Sequence, residues 1–242
     1  VGLGKTLIAG GTIAKFADFA RKQGKKRISV VYICSNAAIA DQNLEKLCIT
    51  EDVQRESVEG SRLSIQHLNI FYNEAESAEE NSVRLIPLTP DTSFYMATGC
   101  GQSWERAVLF AILLHIPELT KYIKPLERIM QARASAGWNK WAKQLGILEV
   151  SECNRLTKGK YLKYMVKKVS KGLKAKNQNG NTLLDDLIKK CREVKKSRKV
   201  EDIDEIIGRL RYLFAGISLE RLNPDLVILD EFQRFKYLIK SE

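Results

Sequence analysis

Val1-Gly2-Leu3-Gly4-Lys5-Thr6 leads directly into a stretch, residues 5–21, whose apolar positions Leu7, Ile8, Ile13, Phe16 and Phe19 follow a helical period. A glycine-rich turn that ends in Gly-Lys-Thr and opens a helix matches the close of the phosphate-loop pattern G-x-x-x-x-G-K-[ST]. The chemistry asks for these residue types. Glycines let backbone N–H groups curl around phosphate oxygens. A lysine reaches the terminal phosphates, a threonine hydroxyl serves Mg²⁺, and the positive end of the helix faces the same anion. Gly10 and Gly11 interrupt the helix and call for close packing as their explanation. The pattern's first glycine falls before Val1, so the chain is expected to be cut from something longer.

Working outward, Arg27–Cys34 (RISVVYIC) is nearly continuous in β-branched and apolar residues, as a strand buried in a parallel sheet is. Ser35 or Asn36 is placed to cap a helix over 37–47. Alternation predicts a half-buried strand over 63–70, and residues 84–88 predict another, which Pro87 pushes toward an edge or a strand end. Beyond residue 102 the pattern is helical, with helices predicted over 103–116, 118–134, 138–146, 155–172, 182–197 and 201–216. Asp225–Leu229 (DLVIL) is a second apolar strand, tipped by Asp230 and Glu231. This order predicts an α/β fold: a parallel sheet flanked by helices and interrupted by a long helical insertion. The expected divisions are a nucleotide-binding core over 1–102, a lysine-rich insertion over 103–221, and a returning strand over 222–242.

Composition narrows the classes. Hydrophobic residues make up 44% of 242, enough for a packed core. The longest apolar run, Ala107–Leu114, is far too short to span a bilayer, so no membrane partner is expected. Five dispersed cysteines form no C-x-x-C pair and suit free thiols in a reducing cytoplasm, which sets the expected location. The net charge of +11 is concentrated: residues 155–199 hold 16 Lys and Arg against Asp185, Asp186 and Glu193. Such a block attracts phosphate backbones or forms the solvated side of lysine-rich helices. Tyr161 and Tyr164 among these lysines are expected to pack a helix face. His67 and His115 are too isolated for a metal or a catalytic base, with His115 expected to be partly buried. Trp104, Trp138 and Trp141 are expected to be anchors.

The acid-tipped strand Leu226–Glu231 (LVILDE) completes the pair of motifs. Asp230 would hold Mg²⁺ and Glu231 would orient and activate the attacking water.

VGLGKT resembles motif I of Swi/Snf-like remodellers and related superfamily 2 translocases, and Asp230-Glu231-Phe232-Gln233 resembles their DEAH/DEAD-type motif II. Residues 32–47 stand in the place of motif Ia. The resemblance covers the two ends of the chain and little of the middle, and Asp230 follows Thr6 by 224 positions, a gap that the helical insertion fills. It implies a RecA-like first motor domain that binds ATP and Mg²⁺ and couples hydrolysis to movement on nucleic acid, taken as double-stranded DNA. A second RecA-like domain, beyond Glu242, would be its partner. Gly2, Leu3, Gly4, Lys5 and Thr6 would bind nucleotide. Thr6 and Asp230 would hold the metal. Lys5, Glu231 and Gln233 would be catalytic, Gln233 by linking the nucleotide site to the nucleic-acid motifs. Ser35 and Asn36 match the polar positions of the motif Ia loop that touches the DNA backbone. Lys160, Lys163 and Lys167 are plausible phosphate contacts from the basic stretch. The segment Leu88–Phe94 is a further surface loop with no assigned role. Two alternatives stay open: a nucleic-acid-binding or scaffolding module with a degenerate phosphate loop, and a signalling or AAA-type ATPase.

Overall fold

A computed structural model of the chain describes residues 3–48, 50, 52–58, 62–75, 82–89, 100–196 and 203–230. Gly2, Glu231, Gln233 and most of the Leu88–Phe94 loop lie outside them.

The described residues form two compact units. The first is α/β. It contains α1 (Leu3–Lys22), β1 (Arg27–Ile33), α2 (Ala37–Leu47), β2 (Val53–Arg55), β3 (Ser82–Leu88) and β4 (Leu226–Leu229). All strands run parallel in the order β2-β3-β1-β4. Pro87 is not on an edge strand, since β3 lies between β1 and β2. It is tolerated because β2 pairs only with Val83–Leu85, so Pro87 stands beyond the end of that neighbour.

α1 ends in a hydrogen-bonded Schellman turn, with Gly24 at φ 81°, Gly24 N–H donating to the Arg21 carbonyl at 2.8 Å and Lys25 N–H to that of Ala20 at 3.0 Å. The four-residue link to β1 turns the chain back on itself. Ile13, Ala17 and Ala20 of α1 then share a core with Val30 and Tyr32 of β1, Ala40, Leu44 and Leu47 of α2, and Val83 and Leu85 of β3. The helix does not bury the stripe expected of it: Leu7, Ile8 and Phe19 are largely exposed. Nor does close packing account for Gly11, where a Cβ would meet open space.

The second unit is helical. It holds α3 (Gln66–Ala75), α4 (Ser103–Leu113), a 3₁₀ segment Pro117–Tyr122, α5 (Ile123–Gln131), a short turn α6 (Ser135–Gly137), a π-helical turn Trp138–Ala142, α7 (Lys143–Leu156), α8 (Lys160–Leu173), α9 (Leu183–Lys196) and α10 (Asp204–Leu222). The strand expected over 63–70 is instead a turn that runs into α3. Ile65, Leu68 and Phe71 recur at three-residue steps and all face the core of this unit, a helical stripe that continues past the window in which alternation was apparent. α3 therefore belongs with the helices and not with the sheet. No described helix is long and apolar enough to cross a membrane.

α4 is the centre of this unit, with residues 105–113 all buried. α7 crosses it at Gly146, where a Cβ would come within 2.5 Å of the Ala107 backbone. Two charged side chains of α4 itself, Glu105 and Arg106, are buried, together with Arg211 of α10. Glu105 accepts from Arg211 Nε at 2.6 Å and from the Ser64 hydroxyl, and the side chains of Glu105 and Arg211 are 0% and 4% exposed. Arg106 donates to the carbonyls of Met130 (2.6 Å), Cys100 (3.0 Å), Gly101 (2.6 Å) and Gln131 (3.1 Å).

His67 is fully buried between Tyr161 and Phe214, with Nδ1 3.1 Å from the Tyr161 hydroxyl. His115, expected to be partly buried, is exposed in the turn after α4. Tyr161 is buried as expected, and Tyr164 is partly so. Trp138 is a core residue, Trp104 packs against the core and Trp141 is half exposed. All five cysteines are free thiols, and burial pushes those of Cys153 and Cys191 up to about 12.

Two predictions follow from this packing. Gly146→Ala must push α7 off α4, and an overpacked helix contact costs about 1–3 kcal/mol; a urea midpoint equal to that of the parent would show that the two helices do not meet this closely. Burial holds the His67 imidazole at about 3, below its ordinary 6.5, against a weaker opposing hydrogen bond from Ser64. The unfolded chain then binds a proton that the folded chain refuses. Stability from this residue is complete above pH 6.5 and falls as the pH drops toward 3. His67→Gln is expected to flatten the stability profile between pH 6.5 and 4 relative to the parent, measured by denaturant unfolding; an unchanged slope refutes it.

Candidate functional site

The site is built from the C-terminal ends of parallel strands, where open α/β sheets bind their ligands. β4 pairs with β1 from Val30 to Ile33, and the Asp230 N–H continues the ladder to the Ile33 carbonyl at 2.8 Å. That bond sets Asp230 just past the strand end. The Tyr32 hydroxyl donates to Asp230 Oδ2 at 2.6 Å and accepts from Asn43 Nδ2 at 2.9 Å, and Nδ2 also lies 3.3 Å from Oδ2. Burial, and then the carboxylate that its proton faces, push the Tyr32 phenol far above its ordinary range. The phenol thereby keeps its proton and holds the carboxylate in one orientation. Tyr32 is 2% exposed and Asn43 8%.

At the other end of β4, Asp225 Oδ2 accepts the Ser29 N–H at 2.9 Å and the carboxylate pairs with Lys25. The two aspartates bracket β4 and fix its register against β1.

The candidate phosphate-loop residues Leu3, Gly4, Lys5 and Thr6 form the first turn of α1. Lys25, just past the C-terminal end of α1, pairs with Asp225 at the start of β4, so this first turn is the end of the helix away from that pair. Lys5 is exposed and Thr6 half-buried, and no acidic residue lies in the first turn to offset the positive helix end. Among the described residues, Lys5 makes no ion pair.

Asn36 caps α2. Its Oδ1 accepts from Ala38 N at 2.8 Å and Ile39 N at 3.4 Å, so this oxygen is committed to the helix, while Ser35 is half-buried beside it. Both follow the C-terminal end of β1. Lys160, Lys163 and Lys167 belong to the second unit, all exposed on α8.

Among the described residues no group of three or more His, Cys, Asp or Glu is arranged to hold a metal. Magnesium needs no such cage, since it is held by one or two carboxylates together with waters and substrate phosphates. Thr6 and Asp230, the residues expected to hold it, offer one hydroxyl and one carboxylate, donors of the kind magnesium takes.

Sequence reasoning missed Tyr32 and Asn43. Two signals were there to find them: Tyr32 puts a hydroxyl into an otherwise buried apolar run, and Asn43 stands on the buried stripe Ala40, Leu44, Leu47 of α2. A polar side chain in such a stripe requires a partner.

Comparison of the chain with models of protein families, with curated proteins and with solved structures finds no match in any of the three.

Tyr32 and Asp230 are expected to couple. In a double-mutant cycle of Tyr32→Phe and Asp230→Asn, the pair should show about 1.5–3 kcal/mol, the range for hydrogen bonds to a charged group. A coupling near zero in unfolding experiments would mean that the tyrosine does not orient the carboxylate.

Proposed function

We propose that the sheet-bearing unit is the ATP-binding domain of a nucleic-acid motor of the helicase or translocase type. The domain is RecA-like, and the helices from α4 to α10 are an insertion between β3 and β4, joined in the helical unit by α3 from between β2 and β3. The observation that carries this reading is the Asp230 carboxylate, held by Tyr32 and Asn43 past the end of β4. The exposed Lys5 opens α1, at the helix end away from the Lys25–Asp225 pair that marks the start of β4. A lysine at a helix N-terminus and an oriented carboxylate at a strand end are the two charges that a magnesium nucleotide needs.

In this reading Lys5 and the backbone around Gly2–Thr6 bind the phosphates, and Thr6 and Asp230 hold Mg²⁺, which neutralises phosphate charge when bound. Glu231 orients the attacking water and Gln233 relays the state of the nucleotide to the nucleic acid. Double-stranded DNA is the proposed track, a second RecA-like domain the proposed partner and the cytoplasm the proposed setting. The second reading, a scaffold that binds nucleic acid without using ATP, draws on the exposed lysines of α8 alone.

Titration with ATP in the presence of Mg²⁺, followed by calorimetry, separates the two. Binding that weakens at least tenfold in Lys5→Ala, yet is unchanged when Lys163 and Lys167 are both replaced by Gln, is the expected result. Absence of ATP binding, or binding indifferent to Lys5, rejects the nucleotide site and leaves the scaffold.

A further inference from the structure

A second candidate site lies wholly within the helical unit. Arg221, in the last turn of α10, lays its guanidinium over two rings, with Cζ 4.1 Å from the Phe71 centroid and 4.7 Å from that of Tyr164. Its Nη2 donates to Glu74 at 2.5 Å, while its Nε is buried and has no hydrogen-bond partner among the described residues. The side chain is still 26% exposed, and a guanidinium with five donors on a planar support is preorganised for an oxyanion. The guanidinium lines a cavity of about 460 Å³ that Lys158 and Lys160 also line. Lys158 is in the left-handed region, at φ 52°, on the tight link between α7 and α8, a conformation that a lysine rarely adopts. Three cations therefore face this space against one carboxylate, Glu74, which Arg221 already engages.

From the cavity a row of exposed lysines runs along α8: Lys160, Lys163, Lys167 and Lys171, at steps of three and four residues and hence on one face. None of them makes an ion pair among the described residues. Lys168, off this row, is taken up by Glu220. The row spans roughly 16 Å at 1.5 Å per residue, the length of about five phosphates along one strand of a duplex. A linear array of charge fits a linear polyanion. A membrane surface would instead need exposed apolar residues between the lysines, and here Leu162, Tyr164 and Val166 are packed against the core.

We infer that this face of α8 is a nucleic-acid groove, in which the phosphodiester backbone follows the lysine row and one phosphate enters the cavity to take the free donors of Arg221. This extends the nucleic-acid part of the function proposed above. It needs no ATP, so it stands or falls independently of Lys5.

The test is fluorescence anisotropy of the full chain with a labelled 20-nucleotide single strand and a 20-base-pair duplex at several salt concentrations, without nucleotide. Arg221→Gln is expected to weaken binding about tenfold. The double variant Lys158→Gln/Lys160→Gln touches only exposed side chains, so it reports even if the first variant folds poorly. It is expected to reduce the slope of log affinity against log salt by nearly two. Lys121→Gln/Lys124→Gln removes the same charge from a different cavity of the same unit and is expected to change little. Equal losses in the two double variants would mean diffuse attraction and overturn the groove. Failure to bind either oligonucleotide would also overturn it, as would capture of inorganic phosphate or of acidic phospholipid vesicles in their place.

Discussion

The parallel pairing of β4 with β1 is the constraint on which the α/β unit depends. The chain leaves the sheet after β3 and returns only at Asp225, and four residues of ladder must then select one register. Side chains on a strand alternate faces, so a slip of one residue would turn Asp230 away from Tyr32 and move Leu226 and Ile228 off the core that they pack against. Register is held from both ends: Asp225 grips Ser29 and Lys25 at the start, and Asp230 meets Ile33 and Tyr32 at the finish. The long excursion is tolerable because it is not a flexible loop. It folds around a core of its own, and the entropy of closing a loop grows only as the logarithm of its length.

The same contacts explain what the sequence disclosed and what it hid. α2 has the bounds expected of it because Asn36 is a strong local cap and the apolar stripe behind it is regular. β1 and β4 were legible from composition alone. Lys5, Thr6 and Asp230 could be named as candidates because the residues of each motif sit next to one another in sequence. The clamp was not, since Tyr32, Asn43 and Asp230 are brought together only when a strand, a helix and a strand from the far end of the chain meet. Residues 63–70 misled for a different reason. Leu63 to Gln66 alternate apolar with polar, but residues 63–68 are all buried, polar ones included, so the alternation marked no exposed face, and over so short a run it decides nothing. Pro87 took the second of the two places expected of it, a strand end: it is the penultimate residue of β3 and stands beyond the end of β2.

Charge was legible as a quantity but not as a pattern. Within the basic stretch Lys168 is paired with Glu220, Lys174 with Glu118 and Lys190 with Glu193. Exposed pairs of this kind add little stability, but they remove their lysines from the charge available to a polyanion. What remains on α8 is a row and not a cloud, and only the helical phase relation, together with the identity of the paired residues, reveals it.

α10 carries three arginines at three depths, and the comparison separates structural charge from charge kept available. Arg209 reaches Asp186 at the surface, where screening leaves the pair weak. Arg211 is buried against Glu105, which also accepts from Ser64. Its charge is fully answered, so removing either partner would strand the other without water. Arg221 is intermediate. Its guanidinium is supported by two rings and tied to one half-exposed carboxylate, yet Nε stays buried and unanswered. A fold that needed Arg221 only for packing would be served as well by an aliphatic side chain over Phe71 and Tyr164. Keeping a desolvated N–H donor there costs free energy that nothing within the described residues offsets. Arg211 is 3% exposed and fully engaged, whereas Arg221 keeps part of its guanidinium open to the cavity, and for that reason it, and not the better-paired arginine ten residues earlier on the same helix, marks the place where a ligand is expected.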